Sequence, residues 1–205
     1  MSTLTVECAD LVTALKAVRH AAANDEARPV LASVLLEGDR EGFRAVAADN
    51  YRIAIQPIPA VGRTATWKRA IVYRDDVDLI LRMLKRAVGV IVLGHTDGAL
   101  TLRHPSFEFS TRLMDGKYPP YDEVVAKVTW PVVGAFNPRF LADIAKGTSD
   151  FQVKLRMRRP TDPIAIEGSS GFVEIIMPIR LPDGEAMPIA EAKRKRAAAP
   201  DSVAS

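Results

Sequence analysis

The chain has 205 residues, 48% of them hydrophobic and 26% charged, a balance that builds a globular core without staples. A single cysteine, Cys8, excludes an intrachain disulfide and a thiolate zinc site, and fits a reducing compartment. The net charge of +3 is a weak pointer to nucleic acid, because the placement of charge matters more than its sum.

Three segments repeat one pattern, a short strand followed by an amphipathic helix and two or three strands. The first runs from Leu4 to about Ile58. Asp10 is the expected N-cap, and Leu11, Leu15 and Val18 share a helix face. Strands are predicted over Val30–Leu36, Phe43–Ala48 and Tyr51–Ile55. The second segment opens with a strand at Ala70–Tyr73. Asp75 or Asp76 then caps a helix that buries Val77, Ile80, Leu81 and Leu84. Strands follow over Val88–Leu93, Ala99–Arg103 and Phe107–Leu113, the first two joined by a turn at Thr96-Asp97-Gly98. The third segment opens with Val132–Phe136. Asn137-Pro138 starts a helix with Phe140, Leu141 and Ile144 as its apolar stripe, and Gly147 ends it. Strands are predicted over Phe151–Met157, Ile164–Glu167 and Phe172–Met177. Helix starts recur every ~65 residues, the signature of an array of related units. Residues 182–205, with the basic run Lys193-Arg-Lys-Arg196, read as a disordered tail.

Each helix carries cations away from its apolar stripe: Lys16, Arg19 and His20 on the first, Arg82, Lys85 and Arg86 on the second, Arg139 and Lys146 on the third. Such faces meet a phosphate backbone without reading bases, although Asp75, Asp76, Asp78 and Asp143 dilute them. His20, His95 and His104 lie on separate elements without metal-ligand spacing. No phosphate loop or nucleophile elbow is present, and Asp49 and Asp115 sit in turns, where Asp serves the backbone. No enzyme activity, metal or cofactor is expected. The amino terminus shows no signal-peptide pattern, and the longest apolar run, Val88–Leu93, is too short to span a bilayer. A cytoplasmic protein without a membrane partner is therefore expected.

Four stretches, in order, resemble the bacterial β sliding clamp family of DNA polymerase III. They are Arg28-Pro-Val-Leu-Ala-Ser-Val-Leu-Leu-Glu37, Ala47-Ala-Asp-Asn-Tyr-Arg-Ile-Ala54, Asp115-Gly-Lys-Tyr-Pro-Pro-Tyr121 and Ile175-Ile-Met-Pro-Ile-Arg-Leu181. Residues 1–127 resemble the middle clamp domain and 128–181 half of the last one, so the chain looks like a shortened clamp. The resemblance implies an α+β DNA-clamp fold: repeated helix-plus-strands half-units, an outer antiparallel sheet and inner helices lining a hole for duplex DNA. It also implies a pocket for the linear motifs of DNA polymerase and other partners. The matching positions are Leu31, Ala48, Tyr51, Arg52, Ile53, Pro119, Tyr121 and Val124, with Ile175, Ile176, Met177, Pro178, Ile179, Arg180 and Leu181 from the last segment. Ala48, Asn50, Tyr51 and Glu123 depart from the family pattern of Thr, Gly, His and a basic residue. A clamp loader and a homo-oligomer follow as expected partners, since four chains of three half-units equal the about twelve of a typical ring. The alternative is a clamp-like adaptor or decoy that binds partner peptides without encircling DNA. An unrelated DNA-binding module using the basic helices and tail is a third reading.

Overall fold

The computed structural model describes residues 2–40, 42–62, 64, 67, 69–96, 98–126 and 134–179. The start of the expected strand Val132–Phe136, Asp97 of the expected turn, Arg180, Leu181 and the tail 182–205 lie outside the described residues. The chain divides into two compact units, Met1–Lys127 and Val128–Ser205.

The first unit contains two half-units in sequence. One comprises β1 (Ser2–Glu7), α1 (Cys8–Arg19), β2 (Ser33–Asp39), β3 (Gly42–Ala48), β4 (Ile53–Ile58) and β5 (Ala60–Val61). The other comprises β6 (Ala70–Tyr73), α2 (Arg74–Leu84), β7 (Val90–Thr96), β8 (Ala99–His104) and β9 (Phe107–Arg112), followed by α3 (Tyr121–Ala126). The sheets have the orders β4-β3-β2-β6 and β5-β1-β7-β8-β9. Each half-unit therefore gives its opening strand to the other's sheet. β1 pairs antiparallel with β7, Leu4 opposite Leu93, and β6 with β2, Val34 opposite Val72. The exchange also serves the helix starts. Neither α1 nor α2 has a side-chain cap. Instead the Cys8 N–H donates to the Gly89 carbonyl at 2.8 Å and the Arg74 N–H to that of Ala32 at 3.1 Å, each acceptor lying just ahead of the other half-unit's first sheet strand. One orphan donor of each helix is thereby satisfied.

Period-two alternation places two layers of core on either side of β2. Val34 and Leu36 join Leu11, Leu15, Val77 and Ile80 in one core that also takes side chains from β7 and β8. Leu35 faces the other way, into a smaller cluster with Val46, Ile71, Tyr118 and Tyr121. That second cluster is why β2 reads as an unbroken apolar run. Beneath Tyr121 lies the buried Glu37 carboxylate. It accepts from the Tyr121 hydroxyl, pairs with Arg44 at 2.7 Å and receives Arg69 Nε at 2.9 Å.

The second unit repeats half of this plan with α4 (Pro138–Gly147), β10 (Val153–Arg156), β11 (Ile164–Gly168) and β12 (Val173–Ile176), the strands forming one antiparallel sheet. Ile144, Ile164, Ile166 and Ile176 make its core. Asn137 Oδ1 accepts the Arg139 N–H at 3.0 Å, and Pro138 needs no donor partner, as the sequence anticipates. Asp150 accepts from Ser169 and Ser170, and those bonds hold its carboxyl down at about 2.

Several boundaries differ from expectation. Asp10, Asp75 and Asp76 lie in the first helical turns, not at the caps, where they complement the helix dipole. β2 starts at Ser33 because residues 28–32 turn, with the Arg28 carbonyl accepting from Leu31 and Ala32. Asp49 turns the chain through residue 52, delaying β4 to Ile53. Gly89 has φ +88°, so β7 begins at Val90 rather than Val88. β9 stops at Arg112, and β10 and β12 are shorter than expected. Residues 134–136 form no strand.

Replacing Glu37 with Ala removes one of the two carboxylates that Arg44 meets, Asp39 remaining at 2.6 Å, and takes the acceptor from the buried Tyr121 hydroxyl. The variant is expected to lose about 2 kcal/mol of unfolding free energy, measured by urea titration, with Glu37→Gln retaining part of it. A loss below ~1 kcal/mol would show that the network contributes little.

Candidate functional site

The positions expected to hold a partner peptide fall in both units. In the first unit they gather at the end of the first sheet. Ala48 ends β3 and is buried, opposite Ile53, which opens β4 and packs on the second cluster. Leu31, Pro119 and Val124 neighbour in sequence Val30, Tyr118 and Val125 of that cluster and its rim. Leu31 and Pro119 are half-buried, while Val124 is exposed. Tyr51 stands 93% exposed at the hairpin tip.

The tip is a built turn. Asp49 Oδ1 accepts from the backbone N–H groups of Tyr51 (2.8 Å) and Arg52 (3.0 Å), and Oδ2 accepts Arg52 Nε at 2.9 Å. Burial raises the Asp49 carboxyl, but these bonds outweigh it and hold the group below its ordinary value. Arg52 thus has Asp49 as its partner. Arg28 braces the turn from outside, donating to Asn50 at 2.8 Å and to Asp25 at 2.8 Å. Sequence reasoning missed this brace; the Asp-Asn pair, which favours such turns, was its only local signal.

Tyr121 is not a lining residue of an open slot in this geometry. Its ring is 3% exposed and its hydroxyl is committed to Glu37; burial first, and the carboxylate second, push the phenol upward. In the second unit Ile176 is likewise buried in the core, while Ile175, Met177 and Ile179 are exposed and Pro178 half-buried. The alternation along β12 and the segment after it decides which side chain is available.

The helix cations show an ordering that inspection helix by helix does not reveal. Lys16, Arg82 and Lys146 each lie eight residues after the first residue of their helix, Cys8, Arg74 and Pro138. His20 and Arg86 also occupy matching positions, as do Arg19 and Lys85. In α1 and α2 this set sits roughly 140° around from the buried stripe. Lys16, His20, Arg82, Lys85, Arg86, Arg139 and Lys146 are exposed. Arg19 is engaged, since its guanidinium meets Asp78 of α2 at 2.7 and 2.9 Å. Among the described residues no His, Cys, Asp and Glu group is placed to hold a metal ion, and no helix is long and apolar enough to cross a membrane.

Residues 5–120 match the profile of the DNA polymerase III beta subunit, central domain. The chain belongs to this family. The beta sliding clamp of Pseudomonas putida is 32% identical over 128 residues, covering 61% of this chain and 34% of that protein. Thus the beta-family chain spans about a third of the length of that curated relative. A solved Bacillus subtilis sliding clamp superposes with a TM-score of 0.72 at 17% identity, over 86% of this chain and 49% of the other. A Bartonella birtlesii sliding clamp bound to griselimycin gives 0.58 at 17% identity, covering 87% and 66%. These likenesses establish the clamp fold expected from the sequence, with its helix-plus-strands half-units and antiparallel sheets.

Asp49→Asn is expected to lower stability at pH 7 by about 1 kcal/mol, the scale of charge-assisted bonds at a partly exposed turn. A carboxyl held below its unfolded value stabilises the fold above about pH 4 and loses that contribution as pH falls through its folded value. Thermal melts of the wild type and variant should therefore converge in acid. A gap that persists at pH 2 would contradict the assignment.

Proposed function

We propose that this beta-family chain is a sliding-clamp element: it tracks duplex DNA through its helices and tethers DNA polymerase and other replication proteins through the patch around the Asp49–Arg52 turn. The observation that carries the reading is the recurrence of a cation at one helix position in all three half-units, Lys16, Arg82 and Lys146, within a family member. Each half-unit offers this cation at the same point of its helix as a phosphate contact, and no base-reading group is required. The function is binding, not catalysis, and belongs in the cytoplasm. In this reading residues 1–127 form one clamp domain, 128–181 half of another, and the chain self-associates; a clamp loader is the expected means of placement on DNA.

In the first unit the peptide contacts would be Leu31, Ile53, Pro119 and Val124, with Tyr51 and Arg52, over the buried Ala48 and Tyr121. In the second unit they would be Ile175, Met177, Pro178 and Ile179, over the buried Ile176, with Arg180 and Leu181 in the proposed set. Apolar side chains of this kind receive Leu or Phe anchors, and Met177 adapts to different partners. An adaptor that holds peptides without enclosing DNA is the second reading, favoured by the exposed apolar side chains of Ile175, Met177 and Ile179, which need no ring to act.

The test is retention on DNA of different topology. Loaded on a closed circle, the chain should withstand salt and be released when the circle is cut. Lys16→Glu combined with Arg82→Glu should reduce the slope of initial binding against log salt by about 2, one for each lost phosphate contact. Equal, salt-sensitive binding to circles and linear duplexes would reject a topological clamp. Peptide binding without DNA retention would select the adaptor.

A further inference from the structure

The second unit displays the two surfaces that the half-units of the first unit hide in each other. Residues three positions into the helices make the comparison direct: Leu11 in α1 is 1% exposed and Val77 in α2 is 0%, whereas Leu141 in α4 is 41% exposed. Phe140 beside it is also exposed. The strands repeat the contrast. β2 and β7 each lie between two neighbours, while among the described residues β10 has only β11 beside it, and its Leu155 is 60% exposed.

The stretch ahead of α4 is placed as an opening strand would be. In the first unit the chain leaving the last strand pairs back to the residue three places before the helix. Val61 of β5 pairs with Thr5, and the Met114 N–H donates to the Ile71 carbonyl at 2.8 Å. The second unit makes the same bond, from the Ile179 N–H to the Ala135 carbonyl at 2.7 Å. One edge of this stretch is therefore occupied as in β1 and β6. Its other edge, which in those strands meets the opposite half-unit, has no ladder among the described residues.

We infer that the second unit pairs with the second unit of another copy about a two-fold axis, α4 against α4, with the 134–136 stretch of each chain laid along the β10 edge of the other. This deepens the self-association in the clamp reading by naming its surface and symmetry. A second copy is the occupant because the chain already contains the template: two related half-units that satisfy each other's edges and helix faces at once. An isologous contact does the same with identical halves, covering the β10 edge of each copy while β12 stays the outer strand of its sheet. Pro138 has no N–H to offer, so the ladder ends one residue earlier than in the first unit, and Asn137 caps the helix locally. The product contains six half-units, the content of three complete domains.

Light scattering after gel filtration of the full chain at micromolar concentration tests the surface. An even number of chains is expected. Leu141→Asp and Leu155→Lys, both at exposed sites and each on a different element, should halve that mass. Val88→Asp, at an exposed position in the first unit, should leave it unchanged. A single-chain mass for the wild type, or a wild-type mass in either variant, overturns the inference. Failure of the peptide and circular-DNA assays with an even mass retained rejects the clamp reading and leaves this surface standing.

Discussion

The fold depends on a constraint of strand edges. β2 and β7 are central strands with apolar side chains on the core, and each would present an unpaired row of N–H and C=O groups if its own half-unit were alone. The opening strand of the opposite half-unit fills that row in both cases. Because β1 and β6 run directly into α1 and α2, the same exchange brings the helices together over a shared core. Backbone pairing and hydrophobic burial are thus coupled, and neither half-unit has a separate route to both.

This coupling arranges the surfaces relevant to function. With their apolar stripes turned to the shared core, α1 and α2 leave Lys16, Arg82 and their neighbours in solvent. On the far side of β2, the second cluster and the Glu37 network anchor residues 113–125, fixing the surroundings of the Asp49–Arg52 turn. Tyr118, buried there, has its phenol pushed up to about 12 by desolvation, so it stays neutral at physiological pH. A rigid apolar patch and a solvated basic face are separate products of one strand arrangement.

Much of this was legible in the sequence because helical periodicity is local. Leu11, Leu15 and Val18 are buried as their spacing predicts, and Asn137-Pro138 starts α4. Strand limits were less legible where a short turn intervened, at residues 28–32, Asp49 and Gly89. β5, with two residues, and α3, with six, are too short to carry a periodic signal. Strand exchange leaves no local mark either, since an opening strand reads alike whichever sheet receives it. The roles of Tyr121 and Ile176 depend on long-range packing: an aromatic before an acidic turn and a paired isoleucine do not disclose their depth. The family resemblance named the region of the turn, while the Arg28–Asn50 and Asp49–Arg52 contacts required the fold.

Each half-unit of the first unit is completed by strand exchange, while among the described residues β10 of the second unit still offers an edge. Hydrogen–deuterium exchange measured across a dilution series addresses this directly. The β10 amides that point away from β11 should gain protection with increasing protein concentration, in step with residues 134–136, while β2 and β7 remain protected at every concentration. Rapid exchange along that β10 edge at all concentrations, including those where the protein is associated, would contradict completion by strand exchange.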